Sequence, residues 1–77
     1  MTITIYTNEN CVACERTMKA FDSAGVEYET KMLSDHPDEL SAFIEKGYRE
    51  APIVVTDKDE WSGFKLDKIK DTVMGQK

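Results

Sequence analysis

Positive charge is scarce in this sequence. Ten Lys and Arg stand against fifteen Asp and Glu, for a formal net charge of −5 over 77 residues. An acidic surface repels phosphate backbones and anionic bilayers, which argues against nucleic-acid and membrane-surface partners. No apolar run approaches the roughly 18–20 residues that a membrane span needs. Met1 leads directly into Thr2-Ile3-Thr4-Ile5, with neither a basic lead-in nor a long apolar stretch, so no secretory leader and a cytoplasmic location are expected. Linkers, low-complexity runs and internal repeats are absent, and the chain is short enough that one domain, 1–77, is the expected count. A chain of this size buries only ~60–65% of its unfolded surface, so it needs a compact fold. Its apolar fraction of 40% is ordinary for a globular domain and too high for a disordered chain.

The apolar pattern changes period along the chain. Thr2-Ile3-Thr4-Ile5-Tyr6 alternates β-branched and apolar residues and reads as a central strand. After the polar loop Thr7-Asn8-Glu9-Asn10, the residues from Cys11 to about Ala24 repeat at helical spacing. Cys14, Thr17, Met18, Phe21 and Ala24 form the inward stripe, and Gly25 is the stop. Val26 to Met32 alternates again, giving a second strand parallel to the first through a right-handed crossover. Ser34-Asp35-His36-Pro37-Asp38-Glu39 has the make-up of a helix start, with a Ser or Asp cap, a Pro in the first turn and early acids. Leu40, Phe43 and Ile44 supply that helix's buried stripe, and Gly47 ends it. Ile53-Val54-Val55-Thr56 and Glu60-Trp61-Ser62 read as a hairpin around Asp57-Lys58-Asp59, followed by a last helix carrying Leu66, Ile69 and Val73. The order is β-α-β-α-β-β-α, an α/β, thioredoxin-like (glutaredoxin-type) arrangement: a four-stranded mixed sheet flanked by helices.

Both cysteines lie in Cys11-Val12-Ala13-Cys14, at the first turn of the first helix. A Cys-x-x-Cys in a cytosolic βαβ setting is a redox signature, because residues i and i+3 at a helix start are close enough for a disulfide. Cys11 falls where backbone N–H groups are unpaired and the helix dipole is positive, which favours a thiolate. It is therefore the expected nucleophile, with inward-facing Cys14 as the resolving thiol. Zinc needs about four ligands, and only His36 and carboxylates accompany the two thiols. A cluster shared between two chains needs several thiolates, and inert buried thiols prefer apolar surroundings. No metal is expected.

Two further segments stand out. Pro52, in Glu50-Ala51-Pro52-Ile53, can simply open a strand. Trp61-Ser62-Gly63-Phe64 reads either as a hairpin end with core aromatics and a turn glycine, or as a partner-recognition surface beside the cysteines. His36 falls in a helix-start loop and reads as solvated.

Taken together, Tyr6-Thr7, Cys11-Val12-Ala13-Cys14, Ala51-Pro52 and Trp61-Ser62-Gly63-Phe64 resemble the glutaredoxin-like NrdH-redoxin family along nearly the whole chain. The resemblance implies a dithiol electron carrier with no bound cofactor, whose redox group is the Cys11–Cys14 disulfide. NADPH is used indirectly, through thioredoxin reductase, and the substrate is the large subunit of class Ib ribonucleotide reductase, whose active-site disulfide is reduced. It implies a monomer, a cis peptide at Pro52 facing the pair, and a partner-contact set of Thr7, Val12, Ala13, Ala51, Pro52, Trp61, Ser62, Gly63 and Phe64. Asn8 stands where that family often has Lys, which leaves the reactivity of Cys11 to the helix terminus. Leu66 stands where Pro is common.

The alternative is a glutathione-dependent glutaredoxin. Such proteins usually carry Cys-Pro-Tyr-Cys, Thr-Val-Pro and, after the fourth strand, Gly-Gly with an acidic pair. Here Val12-Ala13, Glu50-Ala51-Pro52 and Ser62-Gly63-Phe64-Lys65-Leu66 take those places. A redox-sensing binding protein of the arsenate-reductase-like regulator type is the alternative from another class, but it requires a helical insertion for which the chain has no room.

Overall fold

The computed structural model describes residues 2–75. The elements follow the expected order: β1 (Ile3–Thr7), α1 (Val12–Ser23), β2 (Glu29–Met32), a 3-10 turn (Leu33–Asp35), α2 (Pro37–Glu45), β3 (Ile53–Thr56), β4 (Glu60–Ser62) and α3 (Leu66–Met74). The sheet runs β2-β1-β3-β4, with β1 parallel to β2 and antiparallel to β3, and β3 antiparallel to β4. The architecture is thioredoxin-like, with one parallel pair inside a mixed sheet.

Strand alternation sends side chains to two separate cores. Ile3 and Ile5 of β1, Val54 of β3 and Trp61 of β4 meet Phe21 of α1 and Ile69 of α3 on one face. Tyr6 and Ile53 meet Leu33 and Phe43, together with Leu40, Tyr48 and Ala51, on the other. Tyr6 contacts Phe43 edge-on with ring centroids 5.0 Å apart, the offset that the ring quadrupoles favour.

Two helices end in the same way. Gly25 and Gly47 adopt φ of +71° and +94°, the left-handed geometry that terminates a helix most cheaply at glycine. Val26 then donates to the Phe21 carbonyl and Tyr48 to the Phe43 carbonyl, each at 3.0 Å, while Gly25 and Gly47 donate to Asp22 and Ile44. These bonds pair the last carbonyls of α1 and α2, which would otherwise be orphaned.

Several expectations change. Residues 26–28 precede β2 instead of opening it, because Val26 is held by the α1 terminus and the Tyr28 hydroxyl donates to Asp22 at 2.8 Å. Ser34 and Asp35 do not cap α2. Leu33 is buried and draws the chain into the 3-10 turn, so His36 becomes the cap residue without a side-chain capping bond. His36 is also half-buried instead of solvated, with its ring edge-on to Tyr6 at 6.1 Å. Ile44 is 57% exposed and borders an open groove with Leu40 and Tyr48, while Phe43 is the buried residue of the stripe. Leu66 and Ala24 are exposed, and Thr72 takes a buried place beside Ile69 on α3.

The β3–β4 turn is built from side chains. The Thr56 hydroxyl accepts from the Lys58 and Asp59 backbone N–H groups at 3.1 and 2.8 Å. Asp59 accepts from the Glu60 N–H at 2.8 Å and from Lys68 of α3 at 3.1 Å. The Glu60 N–H first, and the Lys68 ammonium with it, hold the Asp59 carboxyl below its ordinary value.

Replacing Phe21 by Ala is expected to cost about 3–5 kcal/mol, and Ile44→Ala to stay within about 0.5 kcal/mol, both read by urea unfolding. Asp59→Ala is expected to cost about 1 kcal/mol near neutral pH. Because the folded carboxyl titrates lower than the unfolded one, that stabilisation is complete above about pH 4 and fades as pH falls through the folded value. Thermal unfolding curves of Asp59→Ala and the parent chain should therefore converge in acid.

Candidate active site

The C-terminal end of β1, the N-terminal end of β3 and the C-terminal end of β4 share one edge of the sheet, since Tyr6 pairs with Ile53 and Ile53 with Ser62. Three segments converge there: the loop of residues 8–11, the Ala51-Pro52 turn and Ser62-Gly63. Asn10 has φ of +53°, a left-handed conformation that asparagine tolerates. That reversal sets Cys11 at the cap position of α1, with extended backbone angles, and the helix proper begins at Val12.

Cys11 occupies the place normally held by Ser or Asp. Its Sγ accepts the backbone N–H of Cys14 at 3.1 Å, so a sulfur satisfies one of the free donors of the helix end. Cys11 is half-buried, whereas Cys14 is 1% exposed. The two are joined as a disulfide with Cα atoms 5.2 Å apart, within the usual span of such bridges. When the pair is reduced, the donor aimed at Cys11, together with the positive end of α1, stabilises negative charge on that sulfur. Val12 is 61% exposed and Ala13 half-buried, so the pair lies behind a small apolar surface.

The Ala51–Pro52 peptide is cis, as expected. Gly63, at φ of +84°, donates its N–H to the Pro52 carbonyl at 2.8 Å. The Ser62 hydroxyl accepts the Glu50 N–H at 3.2 Å and donates to the Glu50 carbonyl. The proline turn is thereby fixed to the end of β4 on both sides of Ala51, whose own N–H and C=O join none of the loop hydrogen bonds among the described residues. Glu50 was not among the expected site residues. Its partner Ser62 lies twelve positions away, so the bond becomes visible only once β3 and β4 are paired.

Four of the expected contact residues are buried, and two of them, Trp61 and Thr7, have their side chains engaged inside the protein. Trp61 is 2% exposed, packed with Phe21, Val54 and Ile69; the β3–β4 register turns it into the core, and Phe64, at 38%, is the exposed aromatic of that segment. Thr7 is 7% exposed, and its hydroxyl donates to the Met32 sulfur at 3.3 Å. The remaining residues lie at this end of the sheet: Pro52 and Gly63 are buried, and Ala51 and Ser62 are half-buried. Burial, with the Glu39 carboxylate nearby, pushes the Tyr6 phenol up to about 12, so it stays neutral and gives the pair no charge. Among the described residues, no group of three or more His, Cys, Asp or Glu is placed to hold a metal ion, and no helix is long and apolar enough to cross a membrane.

A thioredoxin-like fold with a Cys-x-x-Cys disulfide at the start of its first helix defines a thiol–disulfide oxidoreductase whose redox group is its own cysteine pair. Comparison with known proteins narrows the class. The Glutaredoxin family model matches residues 3–61. The glutaredoxin-like protein NrdH of Salmonella typhimurium is 41% identical over 69 residues, covering 90% of this chain and 85% of that protein. Its Escherichia coli counterpart is 36% identical over the same shares. The solved structure of Escherichia coli NrdH-redoxin, described there as glutaredoxin-like with a thioredoxin-like activity profile, superposes with a TM-score of 0.87 at 35% identity, covering 92% of this chain and 93% of that one. The chain belongs to the glutaredoxin family, among its glutaredoxin-like NrdH members.

With the disulfide reduced, limiting iodoacetamide is expected to label Cys11 at least about tenfold faster than Cys14, because only Cys11 combines exposure with stabilised thiolate character. Peptide mapping by mass spectrometry reads the ratio; equal labelling would contradict the geometry.

Proposed function

We propose that this single-domain chain, residues 1–77, is a dithiol electron carrier that receives electrons from NADPH through thioredoxin reductase and reduces the active-site disulfide of the class Ib ribonucleotide reductase large subunit in the cytoplasm. The observation that carries the reading is the asymmetry of the pair: a half-exposed Cys11 sulfur on a helix-terminal N–H, and a buried Cys14 one turn along. The Cys11 thiolate attacks a sulfur of the target disulfide, forms a mixed disulfide and expels the target's other sulfur as thiolate. Cys14 then attacks Cys11 Sγ, re-forms the Cys11–Cys14 bond and releases the second target thiolate. Two electrons leave the pair and two reach the target.

The unengaged backbone of Ala51 supports docking of an extended target segment at the cis-proline turn, where main-chain bonds can hold it beside Cys11. Val12, Ala13, Ser62, Gly63 and Phe64 complete that contact surface, with the chain acting as a monomer. The activity profile ascribed to the Escherichia coli relative favours a reductase over glutathione as the electron source.

NADPH consumption with a disulfide substrate separates the two electron sources. Turnover is expected with thioredoxin reductase alone; turnover only with glutathione and glutathione reductase would make the chain a glutathione-dependent glutaredoxin instead. Cys14→Ser should accumulate a mixed disulfide with ribonucleotide reductase on a non-reducing gel. Cys11→Ser should form none and lose turnover, and full turnover by Cys11→Ser would reverse the two roles.

A further inference from the structure

Between α1 and α3 lies an apolar groove of about 250 Å³ that has no part in the exchange described above. Ala20 and Ala24 form its α1 wall, and Leu66, Val73 and Met74 form its α3 wall. Two of the five large apolar side chains exposed among the described residues lie in it, Leu66 at 46% and Met74 at 70%. Neither cysteine lines it, nor does any residue of the proline turn. Small-molecule sites are deeper clefts of ~300–1,000 Å³, so an open trough of this size suits the side chains of a macromolecule. The groove is also edged by cations, in a molecule of net charge −5. Lys70 lines it from α3, and Arg16 stands one turn before Ala20 on the same face of α1. Both are exposed, and none of the ion pairs among the described residues engages either. The acids of the two helices are placed elsewhere. Asp22 accepts from the Tyr28 hydroxyl, Asp71 lines a separate hollow beside the β3–β4 turn, and Glu15 and Asp67 line no part of the groove.

We propose that this groove is a docking site for an acidic amphipathic helix of a partner protein, separate from the surface that exchanges disulfides. A helix with apolar residues at i, i+3, i+4 and i+7 presents a ridge, and a trough between two helices receives such a ridge. Acids beside the ridge then meet Arg16 and Lys70, and that match of charge selects the partner. An anionic bilayer offers apolar and acidic groups too, but a flat surface does not enter a trough, and it repels an acidic molecule. A helix seated here leaves Cys11 uncovered. The partner therefore holds the chain while the redox pair stays open, which raises the effective concentration of Cys11 toward any disulfide the same partner carries.

The test titrates the full chain with two synthetic helical peptides and reads its amide signals by NMR. One peptide carries Leu at i, i+3, i+4 and i+7 with Glu at the flanking positions; the other is identical with Lys for Glu. The signals of Ala20, Ala24, Lys70 and Val73 should move with the acidic peptide, while those of Cys11 and Ala51 stay in place. The acidic peptide should bind at least about tenfold more tightly than the basic one at low salt, and the gap should narrow in 0.5 M salt by screening. Lys70→Glu should weaken the acidic peptide roughly three- to tenfold, and Leu66→Glu about tenfold. Both positions are exposed, and an acid at the first residue of α3 suits that helix end. The rate of exchange with 2-hydroxyethyl disulfide, a small neutral disulfide, should be unchanged in both variants. Ile44→Glu, on the exposed side of α2, should leave peptide binding as it was. Absence of binding by the acidic peptide, equal binding of the two peptides, or shifts centred outside the groove would overturn the proposal. Vesicles of anionic phospholipid are the third probe, and the chain should not sediment with them. Sedimentation that Leu66→Glu abolishes would assign the groove to a membrane surface and overturn the proposal as well.

Discussion

A sulfur standing in for a helix cap is the interaction on which the rest of this structure depends. The first turn of α1 has N–H groups that no carbonyl can reach, and the Cys11 sulfur answers one of them. That bond needs Cys11 just outside the helix and Cys14 just inside it, which fixes the spacing of the motif. It also needs the chain to turn sharply before Cys11, which Asn10 does at positive φ. β1 must then deliver the loop to the right end of the sheet, and Phe21 and Ile69 must hold α1 against that sheet. Each of these requirements is local, and together they place a polarised sulfur at the surface of an otherwise acidic molecule.

Much of this was legible in the sequence because short-range periodicity carries it. The alternation of Ile3 and Ile5, the helical stripe through Cys14, Thr17 and Phe21, and Gly25 and Gly47 as helix stops mark their elements without long-range information. The cysteine spacing then points to redox chemistry. The departures arise where a distant partner decides. Ile44 fits the apolar stripe of α2 as well as Phe43 does, but only Phe43 is turned into the core under the helix. Ser34 and Asp35 are good caps by type, yet the burial of Leu33 shifts the helix start past them. Trp61 was equally consistent with core and surface, and only the pairing of Val54 with Trp61 turns it inward. The bonds between Glu50 and Ser62 were invisible because they depend on that same pairing.

The Ser62 hydroxyl has a role out of proportion to its size. It bridges both backbone polar groups of Glu50, while the next residue, Gly63, holds the Pro52 carbonyl. The proline turn is tied to β4 by three bonds from two adjacent residues, with Ala51 between them outside the loop hydrogen bonds of the described residues. A loop built this way keeps a polar edge in place that would otherwise pair with the nearest strand or relax into solvent. The β3–β4 hairpin is therefore more than sheet closure; it is the support on which the far side of the site rests.

The two halves of the site also belong to different interiors. The helix that carries the cysteines packs into the core on one face of the sheet, and Ala51, beside the cis-proline, packs into the core on the other with Phe43, Tyr48 and Ile53. The backbone of the sheet is the partition between them. A substitution on the α2 face therefore meets the proline turn through Ala51 and Tyr48, whereas one beneath α1 meets the cysteine helix through Phe21.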